Sequence, residues 1–173
     1  MSKPIKVALA GAGAFGIKHL DGIKNIPDVE VVSLISRDLD KTKEVAAKYG
    51  IGHVTTDLAE TLKISDLDAV ILCTPTQMHA SQSLQCLQAG KHVLCEKPLS
   101  NQLAEARSMV QMARKAGVLL GTDLNHRFTP QAAQAKQWMD EGRLGSPLLI
   151  NMTLWIDNPA DRSPWMHLRA LHP

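Results

Sequence analysis

Apolar residues recur along this chain in two alternating rhythms. Short runs rich in β-branched residues, at Lys6 to Ala10, Val29 to Ser36, Ala69 to Thr74, His92 to Cys95 and Val118 to Thr122, have the length and composition of buried strands. Between them lie segments with helical spacing, Asp40 to Tyr49, Thr76 to Ala89 and Ser100 to Ala116. Gly50, Gly90 and Gly117 follow directly, where a helix is closed by a left-handed turn of the backbone. Such alternation is the sequence form of βαβ units packed around a parallel sheet. A further helix is expected from Thr129, with Pro130 in its first turn, to about Gly142. Gly145, Ser146 and Pro147 then break the pattern, and Leu148 to Ile156 reads as one more strand.

Composition narrows the class. Apolar residues form 45% and charged residues 21% of 173, the balance of a soluble globular protein with a sizeable core. A net charge of +2, with both signs interspersed, excludes a nucleic-acid face. No apolar run approaches the roughly 20 residues that span a bilayer, so no membrane is expected as partner and the location expected is cytoplasmic. Cys73, Cys86 and Cys95 are odd in number and show no Cys-x-x-Cys spacing, so they read as core thiols. No metal site is expected.

Gly11-Ala12-Gly13-Ala14-Phe15-Gly16 matches G-x-G-x-x-G directly after a strand and at the head of a helix. In that context Gly11 permits the tight turn, Gly13 lets a pyrophosphate approach the backbone, and Gly16 allows close packing of helix on strand. The free N–H groups of Ala14, Phe15 and their neighbours then face the anion. The expected fold is therefore α/β, a Rossmann-type doubly wound parallel sheet over residues 1–123, with residues 124–173 as a connecting segment and the start of a second, α+β domain. In a site for NAD, an acidic residue about 20 positions further on accepts the ribose hydroxyls. Ser36 and Arg37 stand there instead, a hydroxyl beside a forked, permanently charged donor, which suits a 2′-phosphate. NADP is the expected cofactor. The alternative is NAD, with Asp38 taking the acidic role.

Thr74-Pro75-Thr76-Gln77-Met78-His79 follows the strand at Ala69, on the edge where doubly wound sheets bind ligands. Lys91-His92-Val93-Leu94-Cys95-Glu96-Lys97-Pro98-Leu99 places an acid and a lysine at that same edge. Together with Gly11 to Gly16 and His19, Asn125, Arg127-Phe128 and Pro130, and Gly142-Arg143-Leu144-Gly145, these motifs resemble the Gfo/Idh/MocA oxidoreductases over roughly residues 5–156. The resemblance implies hydride transfer between nicotinamide C4 and a carbinol or hemiacetal carbon of a small molecule, such as a sugar, a cyclitol or a ring-cleavage product. It implies that Thr74, Pro75, Thr76 and His79 line the ribose and nicotinamide, that Asn125 and Arg127 complete the cofactor contacts, and that Glu96-Lys97-Pro98 presents Lys97 to cofactor and substrate. Lys97 is then the candidate catalytic residue, since lysine can exchange a proton with the reacting oxygen.

Members of that family continue well past the length of this chain, and by the resemblance their remaining catalytic pair would fall near its end. His172 is the second catalytic candidate on that ground, with His167 as the other histidine nearby. A chain stopping within the second domain is expected to leave Leu148 to Ile156 without sheet partners, and Trp155 and Trp165 without the surface that buries them. Such an edge invites association, so a homo-oligomer formed through this strand is a further expectation.

Overall fold

Strand residues buried on both faces, alternating between two core clusters, build the sheet. In this computed structural model, which describes residues 3–153, Ile5–Ala10 forms β1, whose Val7 and Leu9 point into one core cluster and Ala8 and Ala10 into the other. The chain continues through α1 (Ala14–Ile23), β2 (Val29–Ile35), α2 (Leu39–Tyr49), β3 (His53–Thr55), α3 (Leu58–Thr61), β4 (Ala69–Leu72), α4 (Thr76–Gln88), β5 (His92–Glu96), α5 (Leu103–Ala116) and β6 (Leu120–Asp123). The six strands are all parallel in the order β3-β2-β1-β4-β5-β6. Chain direction across the sheet reverses at β1, so the loops after β1 and β4 diverge and open a crevice at the carboxyl edge.

Both faces of the sheet are covered. Leu20 of α1 and Ala46 of α2 join Val7, Leu9, Leu34, Ile51 and Ile71 on one side. On the other, Cys86 and Leu87 of α4 and Ala113 of α5 pack with Val70, Leu72, Val93 and Cys95. This is the doubly wound Rossmann-type α/β fold expected from the alternation of strands and helices. Cys86 and Cys95 are buried and Cys73 is half-buried, all as free thiols.

Two elements escaped the sequence pattern. β3 has three residues, too few to display a period of two, and α3 is a single turn. Their one local signal is Asp57, whose carboxylate accepts from the Ala59 N–H at 2.8 Å as the N-cap of α3.

The chain divides into two units, Met1–Asp123 and one beginning at Leu124. In the second, Asn125–Phe128 forms a 3-10 turn and Pro130–Asp140 forms α6. Thr129 caps α6 by accepting from the Ala132 N–H at 3.4 Å, with Pro130 opening the helix as its missing N–H allows. The strand expected over Leu148 to Ile156 is not formed in residues 148–153: Leu148 is 98% and Leu149 87% exposed. An apolar β-branched run becomes a strand only when a neighbour takes up its N–H and C=O groups, and none does among the described residues. Trp155, Trp165, His167 and His172 lie outside the described residues. No helix among the described residues is long and apolar enough to cross a membrane.

Candidate functional site

The three glycines of the first turn are required for three different reasons. Gly11 has φ +107°, and a Cβ there would stand 2.5 Å from the Cys73 carbonyl oxygen, so β1 can turn beneath the loop after β4 only without a side chain. At Gly16 a Cβ would collide with the Gly11 carbonyl oxygen and press within 3.1 Å of Leu9 Cδ2. Gly13 has nothing within 4 Å of where its Cβ would lie, so its freedom from a side chain serves no packing inside the protein. A Cβ there would fill only open space in front of the helix. Gly13 is also the N-cap of α1, makes no side-chain cap, and is followed by a first turn with no acidic residue. The first N–H groups of α1 therefore face the crevice without an internal acceptor, which is the donor set of an anion site.

Ala12, Gly13, Ser36, Arg37, Asp38, Lys41 and Thr42 line a cavity of about 470 Å³ between this turn and the end of β2. Arg37 is exposed at its rim. Asp38 is committed elsewhere: its carboxylate accepts from the Lys41 N–H at 3.2 Å as the N-cap of α2 and lies 3.4 Å from Lys41 Nζ. The Lys41 N–H and ammonium hold the Asp38 carboxyl below the usual carboxylate range. Lys41 was not among the residues singled out from sequence. A lysine three positions into a helix carries no signal of its own until α2 is seen to start at the cavity.

On the other side of the crevice, Thr74 donates through Oγ1 to Gln82 Oε1 at 2.6 Å, and Pro75 opens α4 as its N-cap residue. His79 departs from the expectation of direct cofactor contact. It is 1% exposed, with Nδ1 2.7 Å from the Pro98 carbonyl oxygen and Nε2 2.7 Å from that of Thr74, so neither ring nitrogen is free for a ligand. Thr76 is likewise buried. The reason is helical geometry: Thr76 and His79 are three residues apart, so both fall on the face of α4 that packs inward.

Glu96 ends β5, half-buried, and Lys97 follows it, exposed. Glu96 Oε1 lies 3.2 Å from His19 Nε2, and its Oε2 accepts from the Lys97 N–H at 3.2 Å. Asp123 at the end of β6 brings a second carboxylate oxygen to 3.5 Å from the same His19 nitrogen. Both partners only accept, so Nε2 carries the hydrogen. His19, Glu96 and Asp123 thus tie α1, β5 and β6 together, with one donor or acceptor atom of each within 4.8 Å of the others. The Lys97 ammonium reaches back to 5.7 Å from the Phe15 ring centroid, which Lys18 also approaches at 5.1 Å. Burial, with Glu96 and Asp123 adding to it, pushes the Cys73 thiol up to about 12, so the cysteine closest to the crevice is a neutral thiol and no nucleophile.

Asn125 and Arg127 are exposed on the 3-10 turn of the second unit. The first unit therefore collects two groups of candidate residues, Gly11 to Gly16 with Ser36 and Arg37, and Thr74 to His79 with Glu96 and Lys97, at the diverging ends of one parallel sheet. That combination defines the Rossmann class of dinucleotide-binding domains.

Residues 5–124 match the Gfo/Idh/MocA family, described as an oxidoreductase family with an NAD-binding Rossmann fold, and the chain belongs to it. It is 53% identical over 126 residues to 4-carboxy-2-hydroxymuconate-6-semialdehyde dehydrogenase of Sphingobium sp. strain SYK-6, covering 73% of this chain and 40% of that protein. It is 31% identical over 149 residues to myo-inositol 2-dehydrogenase of Thermotoga maritima, covering 86% and 45%. Scyllo-inositol dehydrogenase of Lactobacillus casei, solved with bound NAD(H) and scyllo-inositol, superposes with a TM-score of 0.78 at 26% identity, over 83% of this chain and 43% of that one. The chain spans less than half the length of these relatives.

Proposed function

We propose that this chain is the cofactor-binding part of a dehydrogenase that uses NADP(H) in preference to NAD(H), with Lys97 exchanging a proton with the oxygen of a carbinol or hemiacetal substrate. The observation that carries the cofactor reading is the open approach at Gly13 beside the uncapped start of α1. A pyrophosphate would be held by the first N–H groups of α1. Arg37 and Lys41 would meet a 2′-phosphate in the adjoining cavity, while Asp38 is engaged as a helix cap. When bound, the nicotinamide supplies the site that gives or takes the hydride. Around it the chain's own residues position and protonate: Glu96, fixed by His19, holds the Lys97 backbone, and Phe15 offers an apolar and π-rich surface to the Lys97 ammonium.

In this reading the substrate is a small hydroxylated molecule, a cyclitol, a sugar or a ring-cleavage product, which the inositol and hydroxymuconate-semialdehyde dehydrogenases among the relatives support. Asn125 and Arg127 belong to the same reading as further cofactor contacts, and His172, outside the described residues, as a second catalytic group. So does association of copies through the exposed segment at Leu148, Leu149, Ile150 and Met152, which sedimentation would register. Three free thiols fit a reducing, cytoplasmic setting.

Titration of the purified chain with NADPH and with NADH tests the reading. NADPH is expected to bind more tightly, and Arg37→Ala to weaken it about 10- to 100-fold, the size of one or two charge-assisted hydrogen bonds, with NADH little changed. Equal loss for both cofactors would sink the 2′-phosphate assignment. A second reading, a dinucleotide-binding module without turnover, is favoured by the exposure of Lys97; it shares the binding result and gives Lys97 no proton to exchange.

A further inference from the structure

His79 lies in the first turn and a half of α4, wholly inside the protein. Each ring nitrogen is 2.7 Å from a backbone carbonyl oxygen, Nδ1 from that of Pro98 and Nε2 from that of Thr74. A carbonyl oxygen only accepts hydrogen bonds, and a neutral imidazole carries a single N–H. In either neutral tautomer one bare nitrogen would set its lone pair against those of an oxygen at hydrogen-bond distance. Two contacts of this length coexist without repulsion only when both nitrogens carry hydrogen.

We propose that His79 is held as a buried imidazolium that donates to both carbonyls and so clips the loop after β4 to the turn after β5. It is a positioning residue for the cofactor crevice, and that functional half of the inference rests on the dinucleotide reading above. The clip joins the backbone of Thr74, whose side chain is itself tied to Gln82, to that of Pro98, the neighbour of Lys97. One ring thereby sets the spacing of the two loops that carry Thr74 and Lys97.

An isolated charge in an apolar interior is costly, and a cation near the start of a helix is disfavoured by the helix dipole. Against this stand two short charge-assisted bonds, at the length expected for N⁺–H donors. Among the described residues the ring makes no hydrogen bond to a carboxylate. The two carbonyl dipoles are therefore what holds the charge.

The test is the ¹⁵N spectrum of the histidine-labelled full chain at neutral pH, with the His79 ring assigned by through-bond correlation to its own backbone. Both nitrogens are expected to resonate as hydrogen-bearing, and both signals to vanish in His79→Gln. A bare, pyridine-type nitrogen at His79 in the unmodified chain overturns the clip, whether or not any variant folds. His79→Gln, whose amide nitrogen can serve only one of the two carbonyls, is then expected to bind NADPH about tenfold more weakly, about 1.4 kcal/mol, with faster amide exchange in residues 74–76 and 97–99. NADPH affinity equal to that of the unmodified chain would overturn the positioning role. If the unmodified chain binds no dinucleotide, the proposed function fails while the nitrogen spectrum still decides the clip.

Discussion

At the scale of the single residue, one amino acid type does unlike jobs a few positions apart. Gly11 and Gly13 look equivalent in the motif, yet only Gly11 is enclosed by the protein, with φ +107° and the Cys73 carbonyl where a Cβ would go. Gly11→Ala should therefore destabilise the fold by about 1–3 kcal/mol, the range for a residue forced into a sparsely populated backbone region. Gly13→Ala meets no protein atom within 4 Å and should stay within about 0.5 kcal/mol of the parent, yet it should abolish most NADPH binding by blocking approach to the backbone. Thermal unfolding and cofactor titration of the two variants separate these outcomes. A Gly13→Ala chain that binds normally would show that the open side of the turn is not where the pyrophosphate lies. The glycines were legible in the sequence because their spacing is local. The His19–Glu96–Asp123 contact was not, because its members are 77 and 27 residues apart and meet only once α1, β5 and β6 are stacked.

Among the elements, legibility followed length. α2, α4 and α5 span 11, 13 and 14 residues, enough for several turns of apolar periodicity and a closing glycine. β3 and α3 were missed because three or four residues cannot display a period. Residues 148–153 failed in the opposite sense, since the composition of a strand was present without a neighbour among the described residues to bond it. The start of α2 carries its own prediction. Asp38 is held below its ordinary range first by the Lys41 N–H, so its contribution to the helix is present above the unfolded carboxylate value of about 3.9 and is lost as pH falls through the lower folded value. Asp66, bonded to Lys6, and Asp21, bonded to Lys24, are shifted the same way, Asp21 and Asp38 being exposed and Asp66 partly so, so the loss is modest and confined to acid. Melting temperature followed by circular dichroism should be flat with respect to these groups above about pH 5 and decline below about pH 4. Asp38→Asn keeps a capping oxygen without a titrating charge, and should lessen the decline. An unaltered acid profile in that variant would mean that the Asp38 cap does not contribute to stability.

For the whole molecule, the question is how far a cofactor site goes toward a reaction. The sheet places the glycine turn, the cavity by Arg37 and the Glu96–Lys97 turn at one edge, the arrangement that the proposed dinucleotide site requires. Hydride transfer demands more, because a large part of the rate advantage of an enzyme with two reactants comes from fixing both in one geometry. In the first unit Lys97 is exposed, and Glu96 and Asp123 are both engaged with His19 Nε2. The purified chain is therefore expected to bind NADPH yet to oxidise or reduce cyclitols, sugars and ring-cleavage aldehydes at a rate indistinguishable from buffer, measured by nicotinamide absorbance with substrate in excess. Lys97→Ala should leave NADPH affinity within about threefold, since an exposed ammonium contributes little beyond a screened attraction. Turnover at ordinary enzyme rates, abolished by Lys97→Ala, would show instead that this chain assembles a substrate site of its own, and the catalytic reading would then hold for the chain as it stands.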